Sequence, residues 1–221
     1  MPMQRQLEAP SEGGSMSISS PLLPLVIVVD DDAELRESLK DLFTSIGIET
    51  KAYASTSDLL AAGLPDRPSC LVLDLRMPGT SGLELQTHLA KIGARIPIVF
   101  ITGHGDVSTS VRAMKAGAVD FLPKPFRDQE LLDAVTTALR ADETRRVDDR
   151  EVTELRGLAA QLTPREMDVL RGVGRGLLNK QIAYEMGVTE ITVKMHRSNA
   201  GRKLKVVSVA DMVRKIKLLN M

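Results

Sequence analysis

Five times between residues 25 and 142 the chain alternates a short apolar, β-branched run with a longer stretch whose apolar residues recur every three or four positions. The short runs at 25–29, 49–53, 70–73, 98–101 and 119–122 read as strands. The stretches between them, such as 35–45 and 107–116, read as amphipathic helices, and Leu131, Leu132, Val135 and Leu139 mark a final one. Alternation of this kind predicts an α/β fold, a doubly wound five-stranded parallel sheet with helices on both faces.

In such sheets ligands bind beyond the carboxyl ends of the strands, and the acids of this chain lie there. Asp30, Asp31 and Asp32 follow the first strand, and Asp74 follows the third. With the usual strand order these ends are neighbours. Carboxylates about 4 Å apart repel by roughly 4 kcal/mol at an effective dielectric near 20, so the cluster either titrates abnormally or holds a cation. Oxygen-only donors point to Mg²⁺ rather than zinc. Thr102 and Lys124 end the fourth and fifth strands. A cation, an ammonium group and a hydroxyl converging on one carboxylate suit the stabilisation of a phosphoryl group in transfer. Each of these residues alone reads as a cap or surface group, and Asp32 is expected to be a cap. His104 reads as a loop residue without chemistry, and His88 as a polar helix surface residue.

The chain carries equal numbers of acidic and basic residues, 29 of each, but they are not evenly spread. Residues 161–221 hold 12 Lys and Arg against 5 Asp and Glu, so the first 160 residues hold 17 against 24. An acidic front and a basic back predict different partners, a cation for one and a polyanion for the other. No strand pattern appears in the basic part. Thr163-Pro164-Arg165-Glu166 is a helix start, with a Thr N-cap, Pro in the first turn and Glu closing a capping box. A short helix begins at Asn179, Gly187 ends it, and a second begins near Thr189, which is the helix-turn-helix pattern. On the second helix Ile191, Met195 and Leu204 read as inward. Lys194, His196, Arg197 and Arg202 supply polar groups for base edges and phosphates in a major groove. Gly201 inside this helix costs about 1 kcal/mol relative to Ala and is expected to fray its end. With two Tyr, four Phe and no Trp, stacking on single strands is disfavoured, and duplex DNA is the expected polyanion.

Four motifs in order, Val29-Asp30-Asp31, Asp74-Leu-Arg-Met-Pro-Gly79, Thr102-Gly-His104 and Lys124-Pro-Phe126, resemble the receiver domain of two-component response regulators over 25–142. The resemblance implies a flavodoxin-like fold with Asp74 as phosphoacceptor. It implies Mg²⁺ bound by Asp31, Asp74 and the main-chain carbonyl of Arg76, with Asp30 acting through water. Lys124 would pair with phosphoryl oxygens after a cis Lys124–Pro125 bond, and Thr102 and Phe121 would form the switch. From residue 162 to 219, Leu-Thr-Pro-Arg-Glu166, Gly176-Leu-Leu-Asn-Lys-Gln-Ile-Ala183 and Thr192-Val-Lys-Met-His-Arg197 resemble the LuxR/FixJ-type output domain. That resemblance implies a four-helix domain whose third helix reads DNA through Lys194, Met195 and Ser198, and whose fourth, near 209–218, aids dimerisation. Ser198 departs from the basic residue often found there. Asn179, Lys180, Thr192, His196, Arg197, Arg202 and Lys203 complete the expected DNA-binding set.

The expected organisation is a flexible tail over 1–24, a receiver over 25–142, a helical linker over 143–160 and a small all-α DNA-binding domain over 161–221. Val152, Leu155, Ala159 and Leu162 give the linker a short apolar seam, compatible with a solvated helix or with pairing to a second copy. The longest apolar run, 21–29, is too short to span a bilayer. The single Cys70, in an apolar run, reads as a buried structural thiol in a cytoplasmic protein. The expected activity is transcription regulation rather than enzymatic catalysis. The expected partners are a sensor histidine kinase, promoter DNA, RNA polymerase and, on phosphorylation, a second copy. Two other readings stand beside it. One is a regulator controlled by protein contacts without phosphorylation. The other is an aspartate-nucleophile phosphohydrolase, which the Glu34 that follows Asp30 and Asp32 and the lack of a cap insertion disfavour.

Overall fold

The computed structural model describes residues 23–103 and 107–221, so the expectations for the tail and for His104 lie outside the described residues, except at Leu23 and Pro24. Its residues cluster into two compact units that divide between Leu139 and Arg140. None of the helices in the described residues is long and apolar enough to cross a membrane.

In the first unit, five strands form one sheet: β1 (Leu25–Val29), β2 (Glu49–Tyr53), β3 (Ser69–Asp74), β4 (Ile98–Thr102) and β5 (Asp120–Pro123). They run parallel in the order β2-β1-β3-β4-β5. The helices between them are α1 (Ala33–Ser45), α2 (Thr56–Ala62), α3 (Gly82–Lys91) and α4 (Val107–Lys115). Because strand side chains alternate between faces, β1 and β3 feed two cores. Leu25, Ile27, Val29, Leu71, Leu73 and Phe100 pack on one side. Val26, Val28, Cys70, Val72, Val99 and Ile101 pack on the other, with Phe43 and Leu131. Cys70 is a free, buried thiol, as expected.

The helix starts follow their capping chemistry. Asp32 caps α1, its carboxylate accepting the Glu34 and Leu35 amides at 2.9 and 3.2 Å, which is the role expected for it. Ser81 and Glu84 close a capping box on α3. The first residue of α3 must be glycine. A Cβ at Gly82 would lie 2.5 Å from the main-chain oxygen of Asp74, with Phe100 and Leu73 side-chain carbons at 3.0 and 3.1 Å.

The next helix, α5, runs unbroken from Asp128 to Ala159. The boundary expected near residue 142 between a last receiver helix and a linker is absent here, because no glycine or proline interrupts residues 128–156. Ion pairs from Asp142 to Arg145 and Arg146, and from Arg145 to Asp149, support its charged middle. Asp142 is buried.

The second unit adds α6 (Pro164–Gly174), α7 (Asn179–Met186), α8 (Glu190–Lys203) and α9 (Val209–Leu218). Thr163 and Glu166 form the expected capping box on α6, and Gly187 ends α7 in the left-handed region at φ 64°. Leu155 and Ala159 of α5 join Val169, Leu170, Ile182, Val193, Ala200, Leu204, Met212 and Ile216 in one core. Three residues of the apolar seam, Leu155, Ala159 and Leu162, therefore close onto this unit's own core.

Gly201 does not fray α8, which stays helical through Lys203 and is followed by a Leu204 amide bonded to the Ala200 carbonyl at 2.9 Å. A Cβ at Gly201 would meet Met212 Cε at 3.4 Å, an ordinary contact. Two glycines thus differ in sign. Gly201→Ala is expected to raise the stability of the second unit by about 0.5–1 kcal/mol. Gly82→Ala is expected to lower that of the first by about 1–3 kcal/mol through overpacking. Urea unfolding of the two variants beside the parent chain checks both.

Candidate functional site

Sheet register assembles the first site. Val29 pairs with Leu73, so the residues that follow, Asp30 and Asp74, leave adjacent strands side by side. Asp74 pairs in turn with Ile101, and Thr102 with Pro123. Thr102 and Lys124 therefore sit at the same end of the sheet, one strand further along at each step. Asp30, Asp31 and Asp74 bring carboxylate oxygens within 4.8 Å of one another, with Asp30 and Asp74 buried and Asp31 exposed. Thr102 is buried and Phe121 half-buried, its ring 6.4 Å from that of Phe100 and tilted by 45°.

The Lys124 ammonium lies 2.7 Å from Asp30 Oδ2 and 3.4 Å from Asp74 Oδ2. The following Lys124–Pro125 bond is cis. Asp30 Oδ1 accepts the Asp32 amide at 2.9 Å, and Asp74 Oδ1 accepts the Arg76 amide at 3.4 Å. Burial pushes the Asp74 carboxyl above its ordinary range, and the Asp30 charge adds to this against the pull of Lys124. One ammonium thus meets two of the three clustered carboxylates. The pocket has room in its electrostatics for a further cation, and its oxygen donors fit a hard one such as Mg²⁺.

Sequence reasoning missed Arg36, whose Nη1 donates to the main-chain carbonyl of Asp30 at 2.7 Å and holds the loop that presents the acids. Its place one turn beyond the Asp32 cap was the available signal. Gly82 was missed as well, because its neighbour is a backbone atom that only the fold brings near.

The second site lies on α7 and α8. Thr189 caps α8 by accepting the Thr192 amide at 3.2 Å. Val193, Ala200 and Leu204 form the buried stripe of this segment, and Lys194, Met195 and Ser198 are exposed. Apolar character marks Ile191 and Met195 as inward with Leu204, whereas the family resemblance turns Met195 toward the groove. Only Leu204 is buried, while Ile191 is 78% and Met195 51% exposed. Each lies two residues from Val193, which on a helix of 3.6 residues per turn is the opposite face.

The other residues of the expected DNA set are distributed unevenly. Lys180 and Arg202 are exposed, and Thr192, His196, Arg197 and Asn179 are half-buried. Arg197 donates to Asn179 Oδ1 at 3.3 Å, tying α8 to α7. Lys203 is engaged within the protein, donating to Glu166 Oε2 at 2.7 Å and to the Gln161 carbonyl at 3.1 Å. It anchors α8 to the buried cap of α6 and does not stand free at the exposed face. Burial pushes Glu166 up, but Lys203 and the Thr163 hydrogen bonds outweigh it and hold the carboxyl below its ordinary value of 4.5.

Residues 26–136 match the response regulator receiver domain, and residues 160–216 match the luxR family of bacterial regulatory proteins. Nodulation protein W of Bradyrhizobium diazoefficiens is 51% identical over 203 residues, which are 92% of this chain and 88% of that one. The response regulator StyR superposes with a TM-score of 0.77 at 49% identity, covering 88% of this chain and 98% of that structure. Full-length FixJ from B. japonicum has a TM-score of 0.55 at 36% identity, covering 91% and 99%.

Two outcomes follow from the electrostatics. Asp74→Asn removes a charge from a crowded, buried position and is expected to stabilise the Mg²⁺-free protein by on the order of 1 kcal/mol at pH 7. Added Mg²⁺ should raise the melting temperature of the parent chain more than that of the variant, as differential scanning calorimetry would record. For Glu166 the folded value lies below the unfolded one, so its contribution is full above about pH 4.5 and is lost as pH falls through the folded value. Glu166→Gln should cost roughly 1–3 kcal/mol at pH 7, and the gap to the parent should narrow in denaturant titrations toward pH 3.

Proposed function

The chain belongs to the response regulators that join a receiver domain to a LuxR-type DNA-binding domain, and from that premise we propose that Asp74 is the phosphoacceptor through which a sensor histidine kinase controls promoter binding. The observation that carries this reading is the Lys124 ammonium between Asp30 and Asp74, at 2.7 and 3.4 Å, at the carboxyl end of a parallel sheet. An Asp74 carboxylate oxygen attacks the phosphorus of a phosphohistidine. The P–N bond breaks, the imidazole nitrogen keeps the electron pair and takes up a proton, and an acyl phosphate remains on Asp74. Asp31, Asp74 and the main-chain carbonyl of Arg76 would hold Mg²⁺, with Asp30 acting through water. When bound there, Mg²⁺ would supply neutralisation of charge on the transferring group.

Lys124 then pairs with a phosphoryl oxygen, and the Thr102 hydroxyl donates to another. Phe121, half-buried beside Phe100, turns toward the space that Thr102 leaves. This reshapes the face built from β4, α4 and β5. Val107, Val111 and Met114 recur on α4 at helical spacing and are exposed, which supports pairing of two receivers there. Paired output domains then meet two half-sites one or two helical turns apart. Lys180, Lys194, Met195, Ser198 and Arg202 face the groove with Asn179, Thr192, His196 and Arg197 behind them. RNA polymerase is the downstream partner, and the cytoplasm the place of action. The division into 25–142, 143–160 and 161–221 is part of this reading, with the middle segment continuous in α5.

The test is to treat the full chain with Mg²⁺ and acetyl phosphate and to follow dimerisation and binding to a pool of promoter DNA, with Asp74→Asn as control. The expected outcome is a Mg²⁺-dependent gain of at least tenfold in DNA affinity together with dimer formation, both lost in the variant. Equal DNA binding by the treated parent and the variant would mean that protein contacts, not phosphorylation, gate the output.

A further inference from the structure

Ile191 is the second residue of α8, and it is 78% exposed. Leaving a large aliphatic side chain in water forgoes the stabilisation its burial would give, so its position asks for an occupant. Met195, one turn on and 51% exposed, continues the same apolar strip. On a helix, residues three and four apart share a face, which places Ile191, Lys194, Met195 and Ser198 in one row, all four exposed. Lys194 stands inside this strip, and Lys180 on α7 and Arg202 at the far end of α8 are exposed as well. An apolar strip set among cations fits a polyanion that also carries apolar groups at a fixed depth.

Duplex DNA has one such group among its base edges, the 5-methyl of thymine in the major groove. The first residues of a recognition helix are those that reach base edges, and side chains on a helix lean toward its N-terminus. Both bring Ile191 forward. We infer that Ile191, backed by Met195, is a specificity-determining residue that reads a thymine methyl in each half-site. This rests on the reading of α8 as the DNA-recognition helix and adds to it the chemical group recognised. Ile191 offers no hydrogen bond, so it favours thymine over cytosine only through the methyl contact and tolerates any base bearing a methyl at that position.

The test begins with duplexes selected from a random pool by the full-length chain treated with Mg²⁺ and acetyl phosphate. Each thymine of the selected half-site is then replaced singly by deoxyuridine, which removes the methyl and leaves every hydrogen-bonding group. One position is expected to lose about fourfold in affinity with the parent chain, the worth of one buried methyl. Ile191→Ala should bind the thymine duplex several-fold more weakly and lose nothing further at that deoxyuridine. Because Ile191 is exposed, the variant should melt with the parent. Binding that persists with no loss at any deoxyuridine overturns the inference. So does deoxyuridine sensitivity retained in Ile191→Ala, above all where Met195→Ala abolishes it. Unchanged DNA binding by Ile191→Ala assigns the strip to a protein partner instead. Failure to enrich any duplex overturns the DNA reading of α8 and this inference with it.

Discussion

A single ammonium group stands between two buried carboxylates at the end of the sheet, and the first unit is arranged around that pair of contacts. Lys124 reaches Asp30 at 2.7 Å and Asp74 at 3.4 Å. It does so because β1 and β3 are in register at Val29 and Leu73, and because β5 lies beyond β4 with Pro123 opposite Thr102. The apolar runs of the central strands supply the rigidity by filling both faces. Asp74 is left with its charge disfavoured by burial. A group so placed is stabilised by a cation that enters, and the extra negative charge a phosphoryl group would bring there has to be met by that cation and by Lys124.

The second unit solves a different problem. Its helix α8 exposes polar and apolar side chains on one face while staying fixed on the other. Val193, Ala200 and Leu204 fix it by burial. Lys203 fixes it by charge, because Glu166, itself buried in the cap of α6, accepts its ammonium at 2.7 Å. Arg197 adds the bond to Asn179 that sets α8 against α7. The exposed row from Ile191 to Ser198 is what remains after these constraints are met.

Much of the fold was legible because periodicity reports burial. The bounds of β1 and β2 read directly as 25–29 and 49–53, and the end of α7 followed from Gly187. The acids, Thr102 and Lys124 could be gathered in advance because strand ends in a parallel sheet lie together. What stayed hidden depended on contacts distant in sequence. Gly82 looks like any glycine until the Asp74 carbonyl is seen beside it. Arg36 looks like a solvated helix residue until it is seen to hold the Asp30 carbonyl. Lys203 reads as a DNA contact until Glu166, 37 residues earlier, is found to engage it. Ile191 was read as inward because it is apolar, and only its angle to Val193 shows that it faces out.

The central claim, that Asp74 alone receives the phosphoryl group, is tested most directly by chemical trapping. The protein is treated with Mg²⁺ and acetyl phosphate, reduced with borohydride and mapped by peptide mass spectrometry, since reduction converts an aspartyl phosphate into homoserine. The account predicts homoserine at position 74 and nowhere else, and none when Mg²⁺ is withheld. Homoserine at position 30 or 31, or an unmodified Asp74 in a folded protein with Mg²⁺ present, would contradict it.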